Sequence, residues 1–158
     1  MSEKYNLNGG CTCGKVKYSI SEKPLFTQAC HCVDCKISTG SSYVIHTTIL
    51  DKTLSVDGKV ASTVLPTGSG KGYRAYFCIE CGVYLYCKYY IGPGRLNVRT
   101  KTLKDPKMFP PQVHIFTKDK DPWLNLSDKD KCFETAYDRD KTYIIFRFPT
   151  EFKYFLHG

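Results

Sequence analysis

Three short cysteine groups constrain this chain more than any other feature: Cys11-x-Cys13, Cys30-x-Cys32-x-x-Cys35 and Cys78-x-x-Cys81 hold seven of its nine cysteines. Residues 1–10 are polar and do not read as a secretory signal, and no stretch approaches the roughly 20 apolar residues of a membrane span. The expected setting is therefore a reducing one, the cytoplasm with the nucleus as a second location, where disulfides are rare and clustered cysteines bind metal. A structural zinc site is closed by four protein ligands, whereas a catalytic one holds three and keeps a position open. Seven thiolates divide into one of each.

Spacing tells which cysteines belong together. Gly14 follows Cys13 and Gly82 follows Cys81, and a glycine there can take the left-handed backbone that wraps a chain around an ion. Two glycine-ended pairs far apart in sequence suit a closed clasp, so Cys11, Cys13, Cys78 and Cys81 are assigned to one structural zinc. A redox pair at Cys78 and Cys81, as in a thiol-disulfide oxidoreductase, would not need the second pair. The middle group is self-contained, with 16 residues between Cys13 and Cys30 and 42 between Cys35 and Cys78. Cys30, Cys32 and Cys35 can occupy three corners of a tetrahedron, leaving the fourth to another part of the fold or to a molecule from outside. These three are the expected catalytic zinc ligands, giving two zincs per chain.

His31 lies between two ligands of a C-x-C pair, a position that generally points away from the ion. It is expected behind the ligands or at the surface. Asp34 reads as a turn residue or a hydrogen-bond acceptor behind the ligands. His46, His114 and His157 lack ligand spacing and read as ordinary strand or tail histidines. Cys87 alternates with core residues and Cys132 stands alone, so neither is expected to bind metal.

The remaining pattern is that of a mainly β protein. Val16, Tyr18 and Ile20 alternate with charged or polar neighbours over Lys15 to Ile20, the period of a half-buried strand. Ser42 to Leu50 has strand composition, and Leu54 to Val56 and Lys59 to Val64 flank Asp57-Gly58, a dipeptide suited to a tight hairpin. Tyr73, Ala75 and Phe77 alternate into the third cysteine group and Val83, Leu85 and Cys87 alternate out of it, placing that group at a strand-to-strand turn. Leu96 to Arg99, Val113 to Phe116 and Tyr143 to Phe148 also read as strands; short helical turns are expected at Cys32 to Thr39 and Pro106 to Phe109. Residues 1–131 are expected to form one zinc-binding domain. Residues 132–158, dense in aromatics, form an extension packed on the domain or on a partner.

The formal net charge of +8 is spread along the chain: residues 1–80 carry 9 basic and 6 acidic side chains, residues 81–158 carry 14 and 9. Lys88, Arg95, Arg99, Lys101, Lys104 and Lys107 form the one local excess, a solvated face or a patch for an acidic small molecule or nucleic acid. An open three-thiolate zinc favours a small thiol, which binds deprotonated and so concentrates a nucleophile able to attack an aldehyde carbonyl.

At Gly10-Cys11-Thr12-Cys13-Gly14, Cys30-His31-Cys32-Val33-Asp34-Cys35-Lys36, Phe77-Cys78-Ile79-Glu80-Cys81-Gly82 and His114-Ile115-Phe116 leading to Asp121-Pro122-Trp123, the chain resembles a known family. This is the glutathione-dependent formaldehyde-activating enzyme family, which includes centromere protein V; the matching residues span about 5 to 127. Lys36 stands where that family often has arginine, and Val83 where a small hydroxyl residue is common. The resemblance implies a β-tent fold of small antiparallel sheets around a structural zinc. It also implies a carbon–sulfur lyase that adds glutathione to formaldehyde, giving S-hydroxymethylglutathione. The alternative is a zinc-stabilised binding module for nucleic acid or chromatin. No membrane partner is expected, and a homo-oligomer stays open.

Overall fold

The computed structural model describes residues 5–66, 72–89 and 94–136. The expected strand at Tyr143 to Phe148, most of the aromatic extension and His157 lie outside the described residues. Among the described residues the protein is mainly β, with ten strands in two sheets and one α-helix. The smaller sheet has the order β1 (Leu7–Gly10), β2 (Lys17–Ile20), β5 (Leu54–Asp57), all antiparallel. The larger sheet has the order β10 (Val113–Ile115), β3 (Phe26–Cys30), β4 (Val44–Leu50), β9 (Arg95–Arg99), β8 (Tyr84–Tyr89), β7 (Tyr73–Cys78), β6 (Val60–Leu65). It is antiparallel except where β10 runs parallel to β3.

The small sheet packs on one face of the large one. Val16, Tyr18 and Ile20 meet Ile49 of β4, Leu85 of β8 and Leu96 and Val98 of β9 in one buried cluster. The alternation read at Lys15 to Ile20 therefore marks a real face. Tyr18 adds a hydrogen bond, 2.7 Å from its hydroxyl to Thr102 Oγ1.

Two strands escape the sequence pattern for opposite reasons. All five residues of β3 are buried, so Phe-Thr-Gln-Ala-Cys has no polar face to alternate with; Thr27 Oγ1 instead bonds Thr47 Oγ1 at 3.2 Å. β1, Leu-Asn-Gly-Gly, carries little apolar signal and is held by backbone pairing to β2.

The hairpin expected at Asp57-Gly58 is not formed, and the structure corrects that reading. β5 pairs with β2 in the small sheet and β6 with β7 in the large one, so Asp57-Gly58 carries the chain between sheets. Gly58 has φ +107°, and a Cβ there would collide with the backbone of Lys15 and Val16. The glycine serves a close crossing under the first cysteine pair, a demand that local composition cannot distinguish from a hairpin turn. The hairpin around the third cysteine group is present as β7–β8.

Helix α1 (Val33–Thr39) follows β3 directly and lies on the other face of the large sheet. Its N-cap is Cys32, whose sulfur accepts from Cys35 N at 3.4 Å in the role usually taken by serine or aspartate. Gly40 ends it at φ +62°, its N–H donating to Lys36 O at 2.8 Å. Lys36 ties the helix to a later loop through Asp121 Oδ1 and Asp119 O, both at 2.7 Å. Residues 131–135 run alongside 114–117, with His114 N to Lys131 O 2.8 Å and Phe133 N to His114 O 2.9 Å.

Candidate metal centres

The fold brings each cysteine group to a focus. Sulfurs of Cys11, Cys13, Cys78 and Cys81 all lie within 4.8 Å of one another, as do those of Cys30, Cys32 and Cys35. Either cluster could hold a metal ion. Four sulfurs at about 2.3 Å from a tetrahedral zinc stand roughly 3.8 Å apart; Cys11 and Cys13 are separated by 3.4 Å, Cys13 and Cys78 by 3.7 Å. The donor chemistry, sulfur throughout, also suits zinc.

The four-sulfur cluster is built from two matching turns. Cys11 N donates to Val16 O at 3.0 Å and Gly14 N to Cys11 O at 3.2 Å; Cys78 N donates to Val83 O at 3.0 Å and Gly82 N to Cys78 O at 2.9 Å. Gly14 and Gly82 sit at φ +74° and +70°. Each turn thereby aims two sulfurs at the other turn. One turn follows β1 and the other joins β7 to β8, so the cluster links the small sheet to the large one.

The three-sulfur cluster sits where β3 passes into α1. Cys30 ends the strand, Cys32 caps the helix and Cys35 occupies its first turn; Cys30 and Cys35 are buried and Cys32 is half-buried. Phe26, Val44, Val113 and Ile115 pack around them. Hydrogen bonds from the Cys30 and Cys35 thiols pull Cys32 down to about 2. The bond to Cys32 pushes Cys30 up to about 12, and bonds to Cys30 and Cys32 raise Cys35 further still. The first thiolate forms readily and the next two are opposed by its charge. A trio of this kind reaches its fully ionised form with a cation among the sulfurs.

Among the described residues no histidine or carboxylate joins the three sulfurs within that distance. His31 does turn away, as its place in the C-x-C predicts, but into the core: it is fully buried, its Nε2 2.9 Å from His114 Nδ1, and its ring packs near Tyr43. His114, read as an ordinary strand histidine, is the partner that holds it. His46, also set aside by the sequence, reaches Cys35 Sγ with Nε2 at 3.8 Å. Burial, reinforced by Arg99, pushes its pKa down to about 3, so the imidazole is neutral. With its proton on Nε2 it donates to the Cys35 sulfur. No spacing signal marks this residue, because β4 brings it in across the sheet. Asp34 lies in the first turn of α1 and lines a cavity beside it. Cys87 is buried in a separate cluster with Tyr73 and Ala75, and Cys132 is exposed; neither joins a sulfur cluster.

The basic stretch does not act as one patch. Arg99 is buried and Lys88 stands 3.9 Å from Asp51.

A β protein of two sheets with one four-sulfur and one three-sulfur cluster is thus defined by its structure alone. The model of the glutathione-dependent formaldehyde-activating enzyme family matches residues 6–119, and the chain belongs to that family. Comparison with curated proteins returns no match. A crystal structure of a Rhodobacter sphaeroides protein aligns at a TM-score of 0.49 with 24% identity, covering 61% of this chain and 87% of that one. Among the described residues, no helix is long and apolar enough to cross a membrane.

Proposed function

We propose that the protein is a zinc-dependent carbon–sulfur lyase that adds a glutathione-like thiol to formaldehyde or a related small electrophile at Cys30, Cys32 and Cys35. Cys11, Cys13, Cys78 and Cys81 would hold a second, structural zinc. The observation that carries the reading is the inequality of the clusters: four sulfurs close one site, while three converge at the other with no further protein ligand among the described residues. Membership of the family supports the choice of thiol and electrophile.

When bound, zinc supplies the Lewis acidity that keeps an incoming thiol deprotonated at neutral pH. The protein's part is to position and to tune. The β3–α1 junction fixes the three cysteines, and His46 Nε2, 3.8 Å from Cys35 Sγ, draws charge off that sulfur in the tautomer that carries its proton there. His31 and His114 brace the junction from behind through their buried contact. In the net reaction the thiol sulfur forms a bond to the aldehyde carbon, the carbonyl π bond opens, and the thiol proton ends on the new hydroxyl.

Cys32→Ser tests the reading. It should lower bound zinc from two to one per chain and abolish thiol-dependent consumption of formaldehyde. Turnover that survives with one zinc would refute it.

A further inference from the structure

The face of the large sheet beneath α1 carries a buried positive charge with no carboxylate to answer it among the described residues. Arg99 is 5% exposed, and its guanidinium stays protonated at any physiological pH. The ion pairs among the described residues are Lys36–Asp121, Lys52–Glu22 and Lys88–Asp51, so Arg99 takes part in none of them. Its side chain makes one hydrogen bond there, from Nη2 to Ser38 Oγ at 3.2 Å, and lies over the Tyr84 ring, 3.8 Å from the centroid. Nε and Nη1 are buried with no hydrogen-bond partner among the described residues. A buried charge left alone is strongly disfavoured, so a counter-charge is called for close by.

Two neighbours of Arg99 lead toward the three-sulfur cluster. His46 is its direct partner in register on β4, which sets the two side chains on one face of the sheet; His46 Nε2 lies 3.8 Å from Cys35 Sγ. Ser38 follows Cys35 by three residues on α1, and residues at that spacing share a helix face. The guanidinium is thus held between two neighbours of the same cysteine. Cys87, Tyr73 and Tyr84, the other weak acids on this side of the sheet, are kept protonated by burial. The four-sulfur cluster is placed differently: Cys78 packs with Val16 and Leu85 in the core between the two sheets.

We infer that Arg99 is the buried counter-charge of the three-sulfur site, a positioning residue that stabilises Cys30, Cys32 and Cys35 together as thiolates around a metal ion. The inference rests on the proposed ligation of a metal by these three cysteines, and adds what balances its charge. Three thiolates around a divalent cation leave one net negative charge, and a thiol arriving as thiolate adds a second. Arg99 offsets the first without entering the coordination sphere or touching the incoming molecule. It thereby favours the metal-bound cysteines over the protonated ones.

The test is competition for zinc between the zinc-loaded protein and a chromophoric chelator. Wild type should release two zincs per chain, and Cys32→Ser marks the release that belongs to the four-sulfur site. Arg99→Met keeps most of the buried bulk and removes the charge. It should weaken the three-sulfur site by about ten- to a hundredfold, the usual effect of losing a group that supports a metal ligand. Arg99→Lys, which keeps the charge, should recover most of that loss. In both variants the four-sulfur site should release its zinc at the wild-type chelator concentration, which checks that the fold is intact. Should Arg99→Met not fold, Arg99→Gln is read in its place.

If Arg99→Met holds the zinc of the three-sulfur site as tightly as wild type, or Arg99→Lys loses it as readily as Arg99→Met, the counter-charge assignment falls and the proposed metal site stands. Equal weakening of both sites would mark a general structural role for Arg99 and would also overturn the assignment. A wild type that releases a single zinc, with Cys32→Ser releasing the same one, would remove the three-sulfur metal site itself and the inference with it.

Discussion

Cys81→Ser isolates the role of the four-sulfur clasp. Cys81 is exposed, so the substitution removes a ligand and almost no packing. On the proposed assignment the clasp cross-links the small sheet to the β7–β8 hairpin across the 66 residues from Cys13 to Cys78. Treated as a cross-link on the unfolded chain, a loop of that length is worth about 4 kcal/mol, whereas the six-residue loop from Cys30 to Cys35 is worth only about 2 kcal/mol. Cys81→Ser should therefore destabilise about twice as much as Cys32→Ser, although each loses one zinc. Urea unfolding at fixed free zinc, with metal content measured on the same samples, gives both numbers. If Cys81→Ser lost its zinc yet cost less than about 1 kcal/mol, or if Cys32→Ser cost more than Cys81→Ser, the clasp would not be what joins the sheets.

Other consequences follow from the same packing. Leu85 is fully buried between the sheets, so Leu85→Ala should cost about 2–5 kcal/mol in denaturant unfolding; a loss under 1 kcal/mol would deny the shared core. Burial holds the Tyr18 phenol above its ordinary 10.0 despite the bond to Thr102. The neutral form is thus favoured in the folded state, and stability should be full below pH 10 and decline above it as the unfolded state ionises. Tyr18→Phe should lose about 1 kcal/mol at neutral pH and show a shallower alkaline decline; an unchanged slope would contradict this. Lys36→Ala should speed hydrogen exchange around residues 119–121, since Lys36 holds Asp121 Oδ1 and Asp119 O at 2.7 Å; unaltered exchange there would mean the pair does not hold the loop. Cys87→Ala should leave zinc content at the wild-type value, and a loss would show that a third sulfur environment had been missed.

The grouping of the cysteines into one cluster of four and one of three was legible because its information is local. Cys-x-Cys-Gly and Cys-x-x-Cys-Gly each specify a turn, and the two turns need only meet. The mainly β character was readable wherever one strand face is solvated, as at Lys17–Ile20 and in the β7–β8 hairpin. It was not readable for β3, which is buried on every residue, nor for β1, which is held by backbone pairing. Asp57-Gly58 misled because a glycine required by a close crossing looks the same as one required by a hairpin. His46, Arg99 and Tyr84 meet through cross-strand register, with sequence separations that carry no periodic signal. The sequence could group Arg99 with its basic neighbours but could not tell that it points inward.

The central claim is that one site is closed by protein and the other completed by a thiol. Zinc-edge X-ray absorption on protein loaded with two zincs reads this as the mean number of sulfurs around each ion. Four and three ligands give about 3.5 without thiol, rising to 4 when glutathione is added. A mean of 4 before any thiol is present, or a value that does not move on its addition, would contradict the account.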